Sequence, residues 1–163
     1  MYPIYAATVY NVTYYGLNGV LETKPYNYNK YVCNYEAPAV EGKTFKGWSE
    51  NANNENVKYV VSDTTHELAK DFNLYAVYEV NRYTVTFNTD GGSAINSAIV
   101  DYNTSVTKPA NPTKTGYTFS KWQLNGTDYN FSTLVKENIT LKAVWTEKNY
   151  TITYNLDGGS WNG

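Results

Sequence analysis

The sequence predicts a mainly β (α+β) protein, a tandem array of small repeats with four short strands and at most one short helix each. Three observations lead there. The apolar residues are weighted to 18 tyrosines and 4 tryptophans against 1 methionine, a bias that suits the pleated, half-buried surface of a sheet. An alternating strand pattern that runs into a glycine turn occurs three times along the chain. A fixed spacing of proline, glycine, phenylalanine and tryptophan occurs twice.

The strand pattern reads Tyr83-Thr84-Val85-Thr86-Phe87-Asn88-Thr89-Asp90-Gly91-Gly92 and again Tyr150-Thr151-Ile152-Thr153-Tyr154-Asn155-Leu156-Asp157-Gly158-Gly159. A weaker copy is Tyr10-Asn11-Val12-Thr13-Tyr14-Tyr15-Gly16-Leu17-Asn18-Gly19. Apolar and polar residues alternate in each copy, as in a strand with one buried face entering a hairpin. The second pattern is Pro38, Gly42, Phe45 and Trp48, repeated without a gap as Pro112, Gly116, Phe119 and Trp122. A closing strand follows, Phe72 to Tyr78 in one copy and Ile139 to Trp145 in the other. Met1-Tyr2-Pro3-Ile4-Tyr5 fits the same closing block, seven residues ahead of Val12 as Tyr78 is ahead of Val85.

The expected organisation is therefore a closing strand of a preceding repeat (1–5), a first, degenerate repeat (6–78), a second repeat (79–145), and the opening strand and turn of a truncated third (146–163). Both ends are expected to be cuts through a longer array. Trp48 to Leu74 spans 26 residues against 19 from Trp122 to Leu141, and the extra seven are expected within the polar stretch Ser49 to Val61, since loops tolerate insertion.

Within the second repeat, strand one is expected at Tyr83 to Thr89, with Tyr83, Val85 and Phe87 inward. Gly91-Gly92 makes the turn, where glycine accepts positive φ at little cost. Strand two runs near Ala98 to Tyr102, and a crossover from Lys108 to Gly116 is stiffened by Pro109 and Pro112. Strand three covers Tyr117 to Leu124, followed by an Asn125-Gly126 turn. Ser132 to Glu137 is expected as one helical turn capped by Ser132, and strand four is Ile139 to Trp145. Phe119 and Trp122 stand three apart and face opposite sides of a flat strand. A bulge between them puts both in the core; the sequence alone leaves both arrangements open.

Composition removes several function classes. The formal charge is −2, from 13 basic and 15 acidic residues, with no run of one sign. A nucleic-acid partner needs a basic footprint, and a peripheral membrane protein needs a basic amphipathic helix or a lipidation site. No window is apolar enough to cross a bilayer, and the N-terminus has neither the charged region nor the apolar stretch of a signal peptide. The lone Cys33 reads as a small apolar residue in a strand. A nucleophilic role would need a histidine, and His66 is the single one in the chain, with nothing around it to support the pair.

Other candidate chemistry reads as structure. Glu36 and Glu41 flank Pro38, and Asp90 and Asp157 hold the same place before successive glycine turns. Paired carboxylates serve glycosidases, but an Asp-Gly pair is first a turn former. A twelve-residue calcium loop is missing. Asp90-Gly91-Gly92-Ser93 lacks the following helix, lysine and hydroxyl of a phosphate loop. The sequons at Asn103, Asn130 and Asn138 follow from a chain rich in Asn and Thr. No catalytic residue, metal ligand or cofactor site is assigned.

The blocks Tyr-Thr-Val-Thr-Phe-Asn-x-Asp-Gly-Gly, Pro-x-x-x-Gly-Tyr-x-Phe-x-x-Trp and Ile-Thr-Leu-x-Ala-x-Trp together resemble the Listeria–Bacteroides repeat, the B-repeat type of internalin B and other bacterial surface proteins. The match is full from Tyr83 to Trp145 and partial from Tyr150 to Gly159. The first copy departs at Asn18-Gly19, at Lys43 in the place of Tyr117, and at Tyr78 in the place of the closing Trp145. The resemblance implies a β-grasp-like unit, secretion to the cell envelope, no enzymatic activity, and a spacer or adhesive role beside neighbouring repeats. Partners implied are host or envelope glycans or proteins. The dense run Tyr26, Tyr28, Tyr31 and Tyr35 is the candidate ligand surface for an alternative reading, a carbohydrate- or peptide-binding module, because aromatic rings offer an apolar platform with a polar handle. Buried rings there would favour the spacer.

The spaced residues Pro38, Gly42, Phe45, Trp48, Gly91, Gly92, Pro112, Gly116, Phe119, Trp122 and Trp145 are read as the structural motif of the repeat. A unit of this size has a thin balance of burial against chain entropy, so its tryptophans carry much of the core. Trp48→Ala or Trp122→Ala is expected to cost about 3–5 kcal/mol in denaturant melts; near-normal stability would remove them from the core.

Overall fold

The computed structural model describes residues 8–28, 31–53, 55–65, 69–155 and 157–159, and it contains no helix among them. The chain divides into two compact units, Met1–Arg82 with Asp101–Asn103, and Tyr83–Val100 with Thr104–Gly163.

The first unit contains β1 (Val9–Gly16), β2 (Gly19–Asn27), β3 (Tyr31–Val32), β4 (Lys43–Ser49), β5 (Thr64–Thr65) and β6 (Phe72–Val80). Its main sheet has the order β2-β1-β6-β4. β1 and β2 form an antiparallel hairpin closed at Gly16 and Gly19. β1 then pairs β6 in parallel, with Val12 opposite Phe72 and Tyr14 opposite Leu74, and β4 runs antiparallel to β6. β3 and β5 make a separate two-stranded ribbon. Alternation along β1 sends Val12 and Tyr14 to the core, where they meet Tyr26, Cys33, Trp48, Tyr59, Phe72 and Leu74.

The second unit contains β7 (Arg82–Asn88), β8 (Ala98–Asp101), β9 (Thr104–Ser105), β10 (Tyr117–Leu124), β11 (Thr127–Asp128), β12 (Leu134–Val135) and β13 (Ile139–Glu147). The sheet order is β11-β10-β13-β7-β8. The central pair is again parallel, with Val85 opposite Ile139 and Phe87 opposite Leu141. Val85 and Phe87 are buried as expected, and Tyr83 packs half-buried beside them.

The phenylalanine–tryptophan spacing has a bulge as its explanation. Phe119 pairs Trp145 and Lys121 pairs Val144, so Ser120 is the extra residue. The first unit does the same at Lys46, between Phe45 opposite Tyr78 and Gly47 opposite Val77. One unpaired residue brings both rings to one face. Phe45 and Trp48 then meet edge to face at 5.2 Å, and Phe119 and Trp122 lie 5.4 Å apart.

Four expectations need correction. Ser132 to Glu137 is not a helical turn: the Asn130 side chain accepts the Ser132 N–H, which makes a local side-chain turn, and Leu134–Val135 pairs with β9, burying the β-branched Val135. The turn after β7 is centred on Asp90-Gly91, both at positive φ (51° and 86°), and not on Gly91-Gly92. The insertion in the first unit is split. Tyr59 and Tyr129 each donate a backbone N–H to the tryptophan carbonyl, eleven residues after Trp48 and seven after Trp122. Four extra residues therefore lie there, and three more fall between Thr65 and Leu74. Finally, residues 150–155 form no strand, and Tyr150, Ile152 and Tyr154 are 77%, 74% and 69% exposed; Leu156 lies outside the described residues. β7, with the same pattern, is held by its parallel neighbour β13, and no such neighbour occurs for 150–155 among the described residues.

Gly92 has a steric role of its own. A Cβ there would stand 2.5 Å from Cζ2 of Trp145, whose indole N–H donates to the Thr89 carbonyl at 3.0 Å. Gly92→Ala is expected to cost about 1–3 kcal/mol by overpacking in urea melts, and pairing it with Trp145→Tyr, the residue type of the first unit, should restore part of that loss.

Candidate interaction surface

The four tyrosines singled out in the sequence have different surroundings. Tyr26 is buried at the end of β2, edge to face with Phe72 at 5.6 Å. Its hydroxyl donates to the Lys70 carbonyl, and burial raises its pKa. Tyr35 is half-buried, stacked on Trp48 at 5.9 Å and tilted against Tyr14 at 4.8 Å. The Lys24 ammonium sits 4.7 Å over its ring. Tyr28 is exposed. Tyr31 lies on β3, and its side chain is outside what the structure describes. Two of the rings are thus core components, and the run forms no single aromatic face among the described side chains.

The motif residues resolve into a turn, a bulge and a closing ring. Gly42 and Gly116 sit at φ 71° and 79° in matching turns, where Lys43 N–H bonds the Val40 carbonyl and Tyr117 N–H bonds the Lys114 carbonyl. Positive φ at the third position of such a turn selects glycine. Pro38 is exposed and Pro112 buried. The closing ring differs between units without losing its bond: Tyr78 donates its hydroxyl to the Pro38 carbonyl at 2.8 Å, where Trp145 uses its indole on Thr89. In the second unit the Lys114 ammonium adds a cap, 4.5 Å over Tyr117 and bonded to the Asp90 carbonyl.

Around each core tryptophan the polar wiring diverges. Trp48 donates Nε1 to the Tyr35 carbonyl at 2.8 Å; Pro109 stands at the matching position, and the buried Trp122 Nε1 has no acceptor among the described residues. Tyr59 donates its hydroxyl to Glu50 at 2.8 Å, and Lys58 pairs with the same carboxylate at 2.9 Å. Leu124 replaces Glu50 in the second unit, and the Tyr129 hydroxyl has no partner there among the described residues. Burial works to raise the Glu50 pKa, but the bonds from Lys58 and Tyr59 outweigh it and lower the net value. Tyr59 is raised by burial and then by Glu50.

The remaining candidates serve the backbone. Cys33 is fully buried, its N–H bonded to the Asp63 carbonyl and its carbonyl to the Ser62 N–H, and Val106 holds the same place in the second unit. His66 lies outside the described residues. The Asn138 side chain accepts the Thr84 N–H, and Asn103 occupies a turn at φ 62°. Asp90 and Asp157 repeat one turn, each with its N–H on the asparagine two residues earlier. Among the described residues no group of three or more His, Cys, Asp or Glu could hold a metal ion. Sequence reasoning did not single out Glu50 or Tyr59; the signal for both is that Leu124 stands in the second unit where the first has Glu50.

Two tandem units with a parallel central strand pair and a bulged phenylalanine–tryptophan strand define a repeat protein. The chain belongs to the Listeria-Bacteroides repeat domain family, whose model matches residues 10–77 and 83–144. It is 36% identical over 124 residues to Internalin H of Listeria monocytogenes, covering 73% of this chain and 22% of that protein. It is 34% identical over 127 residues to a protein of Evansella cellulosilytica provisionally named a membrane protein, covering 76% of this chain and 19% of that one. A provisionally named Gly-rich membrane protein of the same organism is 34% identical over 124 residues, with 74% and 14% covered. The chain spans only about a fifth or less of the length of these relatives. It is a repeat domain of the kind found in bacterial surface proteins.

Glu50 gives the first unit a pH dependence. Its folded pKa lies below the ordinary value of 4.5, so its contribution is complete above that value and is lost as pH falls through the lower folded one. Glu50→Gln is expected to cost about 1 kcal/mol at neutral pH, the upper end for a pair this exposed. The difference from wild type should shrink in melts on the acid side of pH 4.5.

Proposed function

We propose that this chain is a non-catalytic spacer of a bacterial surface protein, displayed outside the cell, whose units resist tension. The reading takes 6–78 and 79–145 as complete units in a longer array. The observation that carries it is the parallel pairing of first and last strands, β1 with β6 and β7 with β13. In a parallel pair the entering end of one strand and the leaving end of the other lie at opposite ends of the ladder. Tension along the chain therefore shears all the cross-strand bonds together, whereas an antiparallel hairpin pulled at its open end loses them one at a time.

The order of the four long strands, second-first-fourth-third, with that parallel centre, supports a β-grasp-like unit in which loop and ribbon replace the helix. The commitment of Tyr26 and Tyr35 to the core supports a spacer over a tyrosine-lined pocket at that run. The relatives' names, an internalin and two membrane proteins, support a place at the envelope.

Single-molecule stretching tests the proposal. Pulling the chain by its ends should give two separate unfolding events, releasing about 26 nm and about 24 nm at roughly 3.6 Å per residue. The first unit held at Val9 and Val80 should yield at higher force than the same unit held at Val9 and Asn27, which are register partners at the open end of the β1–β2 hairpin. Equal forces in the two geometries would overturn the spacer mechanism.

A further inference from the structure

The turn between β8 and β9, Tyr102 and Asn103, lies in the sequence of the second repeat, yet Asp101–Asn103 belong to the first compact unit. Backbone bonds anchor it there. The Asn81 N–H donates to the Gly42 carbonyl at 2.9 Å, and the Asn81 carbonyl accepts the Tyr102 N–H at 2.7 Å. The Tyr102 ring stands so close to Gly42 that a Cβ on that glycine would overlap it. Its hydroxyl donates to the Glu41 carboxylate, and Arg82 pairs with Asp101 at 3.1 Å. Tyr102 is half-buried. A glycine turn, a linker residue and a tyrosine thus make one clasp.

Two further parts of the chain repeat this frame without completing it. The Lys148 N–H donates to the Gly116 carbonyl at 2.8 Å, as Asn81 does to Gly42, and the two glycines hold the same turn at φ 79° and 71°. Beyond its chain neighbours, no heavy atom of the described residues comes within 4 Å of a Cβ placed on Gly116. Thr115 and Lys148 beside it are exposed. At the other end, Thr8 stands four residues before Val12, as Asn81 stands four before Val85. The Thr8 carbonyl accepts the Tyr28 N–H at 3.3 Å, and Tyr28 is 52% exposed. Among the described residues, Gly116 and Lys148 therefore form turn and linker with no tyrosine over them, and Thr8 and Tyr28 form linker and tyrosine with no glycine turn beneath.

We propose that the Gly116 turn with Lys148 is a docking site whose occupant is the tyrosine-tipped turn of a following repeat in the same chain. The occupied counterpart at Gly42 is the reason. Glycine leaves its Cα open to a ring, and a tyrosine brings an apolar body with a polar tip. The Lys148 carbonyl takes the incoming tyrosine N–H, as Asn81 takes that of Tyr102. Thr115 stands where Glu41 accepts the phenol, with a hydroxyl in place of the carboxylate. One linker residue bonds both sides, so the occupant comes from just beyond that linker; Tyr28 of a second copy would bring its own Thr8 to the place that Lys148 holds. The contact is small and is occupied because the chain tethers its two halves. The site rests on the reading of these units as part of a longer array and not on their resistance to tension, so equal forces in the two pulling geometries would leave it standing.

NMR of the whole chain reads the clasp first where it is occupied. The ring current of Tyr102 should set the Gly42 Hα resonances apart from those of Gly116, and Tyr102→Ala should remove the difference. Docking is then read in a chain whose residues 150–163 are replaced by a further copy of 83–145. The Gly116 Hα resonances should move toward the Gly42 values and return with Tyr102→Ala in the added copy alone. A second measurement does not depend on folding of that copy: a backbone-cyclised peptide of residues 100–105, at millimolar concentration, should move the same resonances of the original chain. Thr115→Glu, which supplies the carboxylate that Glu41 provides, should tighten the peptide about fivefold. Gly116 resonances that stay in place in both experiments, or that move in the longer chain whether or not the tyrosine is present, would overturn the proposal. A shift that follows the concentration of the original chain alone would assign the turn to a second copy and overturn it as well.

Discussion

Each unit depends on one parallel strand pair. β1 lies against β6, and β7 against β13, with partners 60 residues apart in the first unit (Val12 and Phe72) and 54 in the second (Val85 and Ile139). Nothing local makes such a pair form; its closure entropy must be offset by what it buries. Its residues are among the most deeply buried of each core: Val12, Tyr14 and Leu74 in one, beside Trp48 and Cys33, and Val85 and Leu141 in the other, all at 1% exposure or less. Every other long strand attaches to this pair, either as the hairpin partner of the first strand or as the antiparallel neighbour of the last. In the proposed spacer the same closure would bear the tension, because the strands that seal the core are also those through which the chain enters and leaves the unit.

What the sequence made legible follows from the same division between local and distant causes. Strand three at Tyr117 to Leu124 was readable to the residue, because alternation, a preceding glycine turn and a following Asn-Gly turn bound it on both sides. Turn chemistry was readable wherever positive φ demands a residue type, as at Asn125-Gly126, at 51° and 85°. The bulge was visible only as a conflict, two large rings at a spacing that a flat strand cannot satisfy, and its resolution needed the partner strand. The β12 ribbon was not readable at all. Two residues paired with β9 leave no period, and Ser132 imitates a helix cap that Asn130 instead makes into a turn. Which of the four tyrosines turn inward was not readable, because Tyr26 is set by the β1–β2 pairing while Tyr35 is set by its packing against Tyr14 and Trp48.

Divergence between the units is concentrated in side-chain wiring and spares the backbone frame. The closing ring changes from tryptophan to tyrosine and finds a different carbonyl. Gly47 accepts φ 143° and leaves space that Val57 and Tyr59 fill, whereas Lys121 in the same place reaches Asp128. Such exchanges cost little when donor and acceptor change together. Where only one changes the residue is exposed as a fault, and the Tyr129 hydroxyl, deprived of a glutamate by Leu124, is such a case. An unpaired buried hydroxyl of this kind carries a desolvation penalty of about 1–3 kcal/mol, which the first unit avoids through Glu50.

The third copy of the strand pattern separates the two kinds of information most directly. Asp157 and Gly158 adopt φ 42° and 86°, nearly the values of Asp90 and Gly91, and the Asp157 N–H bonds Asn155 as Asp90 bonds Asn88. The turn is complete in itself, for its residues need only each other. Residues 150–155, which match 83–88 of β7 at four of six positions, form no strand. Alternation therefore states which side chains would face a core, while the core itself comes from a closing strand such as β13. A repeat of this kind is specified by the return of its last strand to its first, so the distance between those strands, rather than any motif between them, defines the unit.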